Sequence, residues 1–249
     1  MRVKQTQAVQ VGERTNPAGK PVSNKILLSI SAGDYRKIRP HLEFVDLPGH
    51  LNLHEPREKL EFAYFLNRGL VSLVVATQEG KEAEAGVVGC EGVVGTPLAV
   101  GLYRSPLREV VQIGGNGFRI SASALHDVLH TAPDLQMSLS RYAVLQGMQV
   151  AQTAACNRLH ELVQRLARWL LMAQDRVDAG TLFLTHDFLA TMLGTDRPSV
   201  TLAAGELQKN KQIRYSRGAV EIVNRKKLET SACECYQVIQ QLNGQLGLK

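Results

Sequence analysis

The sequence predicts an α+β chain in three parts: an N-terminal β-roll, a long helix, and a C-terminal helix-turn-helix with a β-hairpin wing. Three observations predict this. Between residues 42 and 120, short β-rich runs alternate with turns rich in glycine and proline. From Pro133 to about Cys156 an apolar stripe recurs at helical spacing. Residues 185–207, THDFLATMLGTDRPSVTLAAGEL, place small, glycine and apolar side chains where two short helices must cross at a tight turn.

Composition sets the outer bounds. The chain has 249 residues, 44% hydrophobic and 21% charged, enough for one large or two modest domains with a real core. Its mixture is that of a globular protein rather than a disordered one. No run approaches the roughly 18 apolar residues of a membrane helix. The start, MRVKQTQAVQVGERT, has no apolar h-region, so a secretory signal is not expected. Four cysteines are too few for a disulfide scaffold, which points to a reducing, cytoplasmic setting.

The net charge of +6 is unevenly placed: +4 in residues 1–25, −2 in 26–155, +5 in 156–228 and −1 in 229–249. The C-terminal third and the tail therefore carry the basic excess, which suits an anionic partner such as nucleic acid. The expected organisation is a flexible tail (1–22), a β-roll sensor domain (23–132), a dimerisation helix (133–157), a winged helix-turn-helix (158–230) and a C-terminal extension (231–249).

Taken in order, residues 24–39 fit two short helices around Gly33. The runs LEFVDL, FAYFL, LVSLVVAT, AGVVG, REVVQI and GFRIS fit strands, with turns at Pro48-Gly49, Asn67-Arg68-Gly69, Glu79-Gly80 and Gly114–Gly117. Ser121 or Ser123 can cap a short helix through Leu129. In the long helix, Met137, Val144, Met148, Ala151 and Ala155 share one stripe, and the two alanines permit close backbone approach. That stripe suits a two-stranded dimer seam or, alternatively, packing on the β-roll. A further amphipathic helix carries Leu159, Leu162, Val163, Leu166, Leu170 and Ala173, with Arg165, Arg168 and Arg176 on or near its polar side and Trp169 in the core.

In the helix-turn-helix, Thr185 is an N-cap, Ala190 stands where the helices cross, Gly194 ends the first helix and Asp196 caps the second. Pro198 is tolerated there because it lies in the first turn, and Val200 locks the second helix onto the first. Ile213–Tyr215 and Ala219–Val223 form a hairpin around Ser216-Arg217-Gly218, whose Arg217 can reach phosphate. Asn224–Lys227 extends the basic surface.

At this point the sequence resembles the Crp/Fnr family of transcription regulators. The residues that carry the resemblance are RLARWLLMAQDR (165–176), LTHDFLATMLGTDRPSVT (184–201) and IRYSRGAVEIVNRKKLE (213–229); ACNRLHE and the terminal CECY resemble one bacterial branch. The resemblance implies a cyclic-nucleotide-binding-like β-roll and a homodimer on a nearly two-fold operator. It further implies contact with RNA polymerase, with half-sites about one helical turn apart. Arg197 falls where the family places a base-reading arginine. Pro198 stands where many members have Glu and Leu202 where many have a second Arg, so altered readout is expected, with apolar contact to thymine methyls. Thr185, His186 and Ser199 fall at phosphate-contact positions, and Thr201 and Arg217 complete the expected DNA-contacting set.

The family's cyclic AMP binders use a Gly-Glu pair for ribose and an Arg-Ser pair for phosphate. Here Gly95-Thr96 replaces the first pair and Arg104-Ser105 could serve as the second, at shorter spacing. An effector, if one binds, is expected to be an unidentified small molecule rather than cyclic AMP. No cysteine precedes Cys90, so the N-terminal iron–sulfur cluster of oxygen-sensing members is not expected. Cys233 and Cys235 form a C-x-C pair, but two thiolates do not close a four-ligand site unless Cys156 or His160 joins them; free thiols are expected. No cofactor, metal or catalytic residue is expected. Two readings compete: a helix-turn-helix that has lost DNA affinity and serves protein contacts, and a metal enzyme using His50 and His54 on the roll.

Overall fold

The structure, a computed structural model, describes residues 13–177 and 180–245. In chain order the elements are α1 (Lys25–Ser29), α2 (Ala32–Ile38), a 3-10 turn (Arg39–His41), β1 (Glu43–Leu47), β2 (Asn52–His54), β3 (Phe62–Ala76), β4 (Glu82–Val88), β5 (Val93–Val94) and a second 3-10 turn (Thr96–Val100). They continue with β6 (Arg108–Ser121), α3 (Ala122–Leu129), α4 (Pro133–Leu159), α5 (Leu162–Val177), β7 (Thr181–Phe183), α6 (His186–Leu193) and α7 (Arg197–Lys209). The last elements are β8 (Ile213–Ser216), β9 (Ala219–Ile222), α8 (Arg225–Ser231) and α9 (Cys235–Gln245). The first sheet runs β1-β6-β3-β4, with β2 added on β6 and β5 on β3; the second is β7-β9-β8. The α+β architecture expected from the sequence is present, and no helix among the described residues is long and apolar enough to cross a membrane.

Two expected turns are not turns. Asn67-Arg68-Gly69 lies within the 15-residue β3 and Gly114–Gly117 within the 14-residue β6, and these bends face each other across the ladder. A Cβ on Gly115 would sit 2.0 Å from the Arg68 carbonyl oxygen, and one on Gly117 2.4 Å from that of Phe65. Glycine here marks close backbone approach where a continuous sheet bends, not the end of a strand.

Residues 13–22, expected within a flexible tail, instead pack on the roll. Arg14 is buried, donates to the Leu27 and Ile30 carbonyls at the end of α1, and stacks over the Tyr35 ring. Val22 is fully buried. Residues 1–12 of that expected tail lie outside the described residues.

The long helix α4 begins at Pro133, and its N-cap residue Ala132 offers no side chain to the first amides. Asp34 from α2 supplies the acceptor instead, taking the Asp134 and Leu135 amides at 2.8 and 3.2 Å. Leu135, Leu139 and Tyr142 then enter the roll's core with Phe65, Phe118 and Leu125. Gly92 makes room for the Tyr142 ring, since a Cβ there would meet the phenol oxygen at 2.0 Å. The stripe of Met137, Val144, Met148, Ala151 and Ala155 points elsewhere: all five are exposed, Val144 by 59%. Of the two packing options left open by the sequence, burial of this stripe against the chain's own roll is not seen among the described residues.

A second core joins the roll to the C-terminal part. Leu70, Val74 and Val87 of β3 and β4 pack with Leu166, Trp169 and Leu170 of α5, and the cluster continues through Leu189, Val200 and Leu207. Arg168 and Arg176, expected near the polar side of this helix, are buried, Arg168 with its guanidinium donating to Met172 Sδ at 3.4 Å. Arg176 Nε donates to Glu91 at 2.7 Å. Leu159, expected within the apolar face, is instead exposed at the end of α4.

Glu84 of β4 accepts from Trp169 Nε1 at 2.8 Å and from the Ser72 hydroxyl and is buried. Burial pushes its pKa up to about 7. The unfolded chain's Glu84 titrates near 4.3, so the folded state binds the extra proton between those values. Stability is therefore undiminished below the ordinary carboxylate range, falls as pH rises toward about 7, and is level above it. Glu84→Gln is expected to gain stability relative to the wild type on moving from pH 5 to pH 8, by on the order of 3 kcal/mol. Urea denaturation at the two pH values measures the difference; an equal offset at both would refute it.

Candidate nucleic-acid interface

Local chemistry builds the two-helix unit as the sequence requires. The Thr185 hydroxyl accepts the Phe188 amide at 3.1 Å and starts α6. Gly194, at φ +60°, closes it with its amide on the Ala190 and Thr191 carbonyls. Asp196 Oδ1 accepts the Ser199 amide at 2.7 Å and starts α7, with Pro198 in its first turn. Asp196 is held below its usual pKa chiefly by that Ser199 amide. Ala190 is 7% exposed at the crossing and Val200 fully buried beneath it. Arg165 of α5 donates to the Leu193 carbonyl, adding a cap from outside the unit.

The outer face of α7 is open. Arg197, Pro198, Thr201 and Leu202 are exposed, Leu202 by 77%, and Ser199 is half-buried. Positions 197, 198, 201 and 202 share a helix face because they repeat three and four apart. Arg197 lies 3.4 Å from Asp187 on α6, both side chains largely in solvent. Such an exposed pair is worth at most about 1 kcal/mol, so it holds the guanidinium in place without consuming it.

His186 and Thr201 are partners rather than separate contacts. His186 Nδ1 lies 2.9 Å from Thr201 Oγ1, while that hydroxyl donates to the Arg197 carbonyl at 3.0 Å. With its hydrogen so used, Thr201 receives the Nδ1–H of His186. The His186 ring stacks on Tyr215 at a centroid distance of 4.1 Å. Burial, aided by the Arg197 charge, lowers the His186 pKa, so the neutral ring is favoured. Tyr215 in turn donates from its hydroxyl to the Leu184 carbonyl at 2.9 Å and from its amide to Gln208 on α7 at 2.8 Å.

Tyr215 thus ties the wing to both helices, a role the sequence reading did not assign. The reading also missed β7, which pairs with β9 and displays Phe183 at 80% exposure. The wing turns at Arg217 (φ +49°) and Gly218 (φ +77°), the two-positive-φ turn that suits a tight hairpin, and it leaves Arg217 exposed at the tip. Of the basic run that follows, Arg225 is paired with Asp175 at 2.6 Å and Glu229 at 2.9 Å, leaving Lys226 and Lys227 as the exposed charges.

Residues 164–231, which contain this whole unit, match the family model described as the Crp-like helix-turn-helix domain. FixK2 from Bradyrhizobium japonicum superposes with a TM-score of 0.66 at 15% identity, over 77% of this chain and 98% of that one. The c-di-GMP-responsive regulator CLP from Xanthomonas campestris gives 0.63 at 17%, over 77% and 99%. A Crp-family transcriptional regulator from Thermus thermophilus gives 0.60 at 20%, over 76% and 96%. No curated protein sequence matches the chain. The chain has the fold and the helix-turn-helix domain of the Crp/Fnr family.

In the β-roll the expected effector residues do not form one site. Thr96 is buried and donates to Gln146 on α4. Gly95 adopts φ +82° and lies against the His54 ring. Ser105 is buried, its Oγ accepting the Leu107 amide at 3.1 Å. Arg104 is exposed, donates to the Arg57 carbonyl, and lines a cleft of ≈ 620 Å³. Glu55, Glu58 and Glu61 line the same cleft, against Lys59 and Arg104, so its wall does not favour a phosphodiester. The two histidines of the competing enzyme reading are kept apart: His50 is exposed in a turn at φ +67°, and His54 is buried against Glu109.

The cysteines behave differently from isolated thiols. Cys156, Cys233 and Cys235 are buried together without a disulfide, and His160 joins them.

Ala190 tests the crossing. Ala190→Leu inserts three carbons between two packed helices and is expected to destabilise the chain by about 1–3 kcal/mol. A calorimetric melting temperature equal to that of the wild type would contradict the tight crossing.

Proposed function

We propose that this chain is a homodimeric, sequence-specific DNA-binding transcription regulator without catalytic function. The observation that carries the reading is the open face of α7, with Arg197, Pro198, Thr201 and Leu202 exposed on it, rigidly tied through Tyr215 to a wing tipped by Arg217. Arg197 can give two hydrogen bonds to guanine O6 and N7, and Leu202 can meet a thymine methyl. Thr185, Ser199 and Arg217 would set register on the phosphates. His186 and Thr201 act mainly by holding each other and the start of α7.

The exposed stripe on α4 supports pairing with a second copy, Ala151 and Ala155 allowing the close approach that the larger residues then seal. A dimer would present two α7 helices to half-sites about 34–36 Å apart. The acidic lining of the roll's cleft supports an effector other than cyclic AMP, and contact with RNA polymerase would complete the regulatory role.

Arg197→Ala is expected to cost about 1–3 kcal/mol at the selected operator and to relax selectivity at one base position. Competition binding against single-base operator variants measures this; unchanged selectivity would refute the assigned readout. If duplex binding shows no steep fall with salt, the helix-turn-helix does not engage DNA at all. Val144→Glu combined with Met148→Glu places charge in the proposed seam and is expected to give monomers in sedimentation velocity. A persisting dimer would move the interface elsewhere.

A further inference from the structure

Cys156 and His160 stand at the end of α4, four residues apart, with the His160 amide bonded to the Cys156 carbonyl at 3.1 Å. Cys233 and Cys235 flank the link between α8 and α9. Residues more than seventy positions apart in the sequence are thereby gathered at one point. Among the described residues, these four offer ligand atoms that all lie within 4.8 Å of one another. Cys156 Sγ and Cys233 Sγ are 3.5 Å apart, and Cys235 Sγ and His160 Nδ1 are 3.6 Å apart. Ligands about 2.0–2.3 Å from a tetrahedral zinc ion sit roughly 3.5–3.8 Å from each other. Two of the six ligand-to-ligand edges match that spacing and the other four are no longer than 4.8 Å, close enough for one ion to draw the four groups into a tetrahedron.

We propose that Cys156, His160, Cys233 and Cys235 form a structural site for a single tetrahedral divalent cation of the zinc class. Three further observations support it. The three cysteines are no more than 3% exposed, the closed environment of a structural rather than a catalytic metal. The other ring nitrogen of His160, Nε2, lies 3.2 Å from Glu234 Oε1, the carboxylate partner that metal-bound histidines use to fix tautomer and orientation. Gln152 Nε2 donates to Cys235 Sγ at 3.0 Å, as outer groups do to a coordinated thiolate.

The chemistry selects the ion class. Three thiolates and an imidazole favour zinc or cobalt over the oxygen-seeking cations magnesium and calcium. A disulfide accounts for the cluster less well, because any pairing leaves a third buried cysteine and the histidine without a role. The ligands come from the last turn and cap of α4 and from the α8–α9 link and first residue of α9, so the bound ion would cross-link these two regions.

The test uses the full chain, expressed in zinc-supplemented medium and purified with reductant and without chelator. Elemental analysis is expected to find close to one zinc per chain. Replacing it with cobalt is expected to give the visible bands of a tetrahedral ion and sulfur-to-cobalt charge transfer in the near ultraviolet. Cys233→Ser and His160→Ala are expected to lose most of the metal, and Cys90→Ser, outside the cluster, to keep it. Should Cys233→Ser fail to fold, Cys235→His retains four ligands and is expected to keep cobalt with weaker charge transfer. Wild-type protein with less than a tenth of an equivalent of metal and no cobalt bands would overturn the proposal, as would a Cys156–Cys233 disulfide in non-reducing peptide mapping. None of these readouts depends on DNA binding, so the site and the regulatory reading can fail separately.

Discussion

Trp169 and Glu84 meet across the line where the β-roll touches the helix-turn-helix domain, and the rest of the chain is arranged around that contact. The indole donates to a buried carboxylate, and Leu70, Val74 and Val87 close over α5 on either side. A buried acid of this kind is tolerable only with its donors in place, since removing one partner leaves an uncompensated polar group. The Arg176–Glu91 pair, buried nearby, obeys the same rule. Both contacts are directional, so they fix orientation as well as proximity. The helix-turn-helix therefore does not hang from a free linker; its core is a continuation of the sheet's outer face.

The long helix works by having two faces with different obligations. One is committed to the roll through Leu135, Leu139 and Tyr142, with Asp34 supplying the acceptor that its own first turn lacks. The stripe of Met137, Val144, Met148, Ala151 and Ala155 is left exposed among the described residues. Apolar residues repeated along a helix and left in water cost free energy that burial of the same area would recover, at roughly 25 cal/mol per Å². The far end of this helix is where Cys156 and His160 converge with the C-terminal extension. One element thus touches the roll, an open surface and the C-terminal extension.

The local chemistry of the helix-turn-helix was legible in the sequence because its demands are short-range. Thr185, Gly194, Asp196 and Pro198 act within one turn of their own position, and each does what its residue type permits. Three features were not legible, each for a long-range reason. The glycines of β3 and β6 looked like turns because sequence shows only their freedom, not the opposing backbone that requires their lack of a side chain. Arg176 looked solvent-facing because Glu91, the acid that pairs with it, lies 85 residues away in the chain. The four clustered groups were visible singly, as a C-x-C pair and two stray candidates, while their convergence depends on α9 folding back against α4.

These contacts also bound how a signal in the roll could reach α7. Moving a two-state equilibrium from 1:99 to 99:1 takes about 5.5 kcal/mol of differential binding. A rearrangement that separated α5 from β3 and β4 would break the Trp169–Glu84 and Arg176–Glu91 contacts and return Leu70, Val74, Val87, Leu166 and Leu170 to water, at about 1.5–3 kcal/mol for each side chain. A modest effector cannot meet such a cost, so the roll and the helix-turn-helix are best regarded as one body. The changeable element is then the open face of α4, reached from the roll through the Thr96–Gln146 hydrogen bond. In the dimer proposed above, switching would consist of altering how two such bodies are set against each other, with each α7 carried along on its own roll.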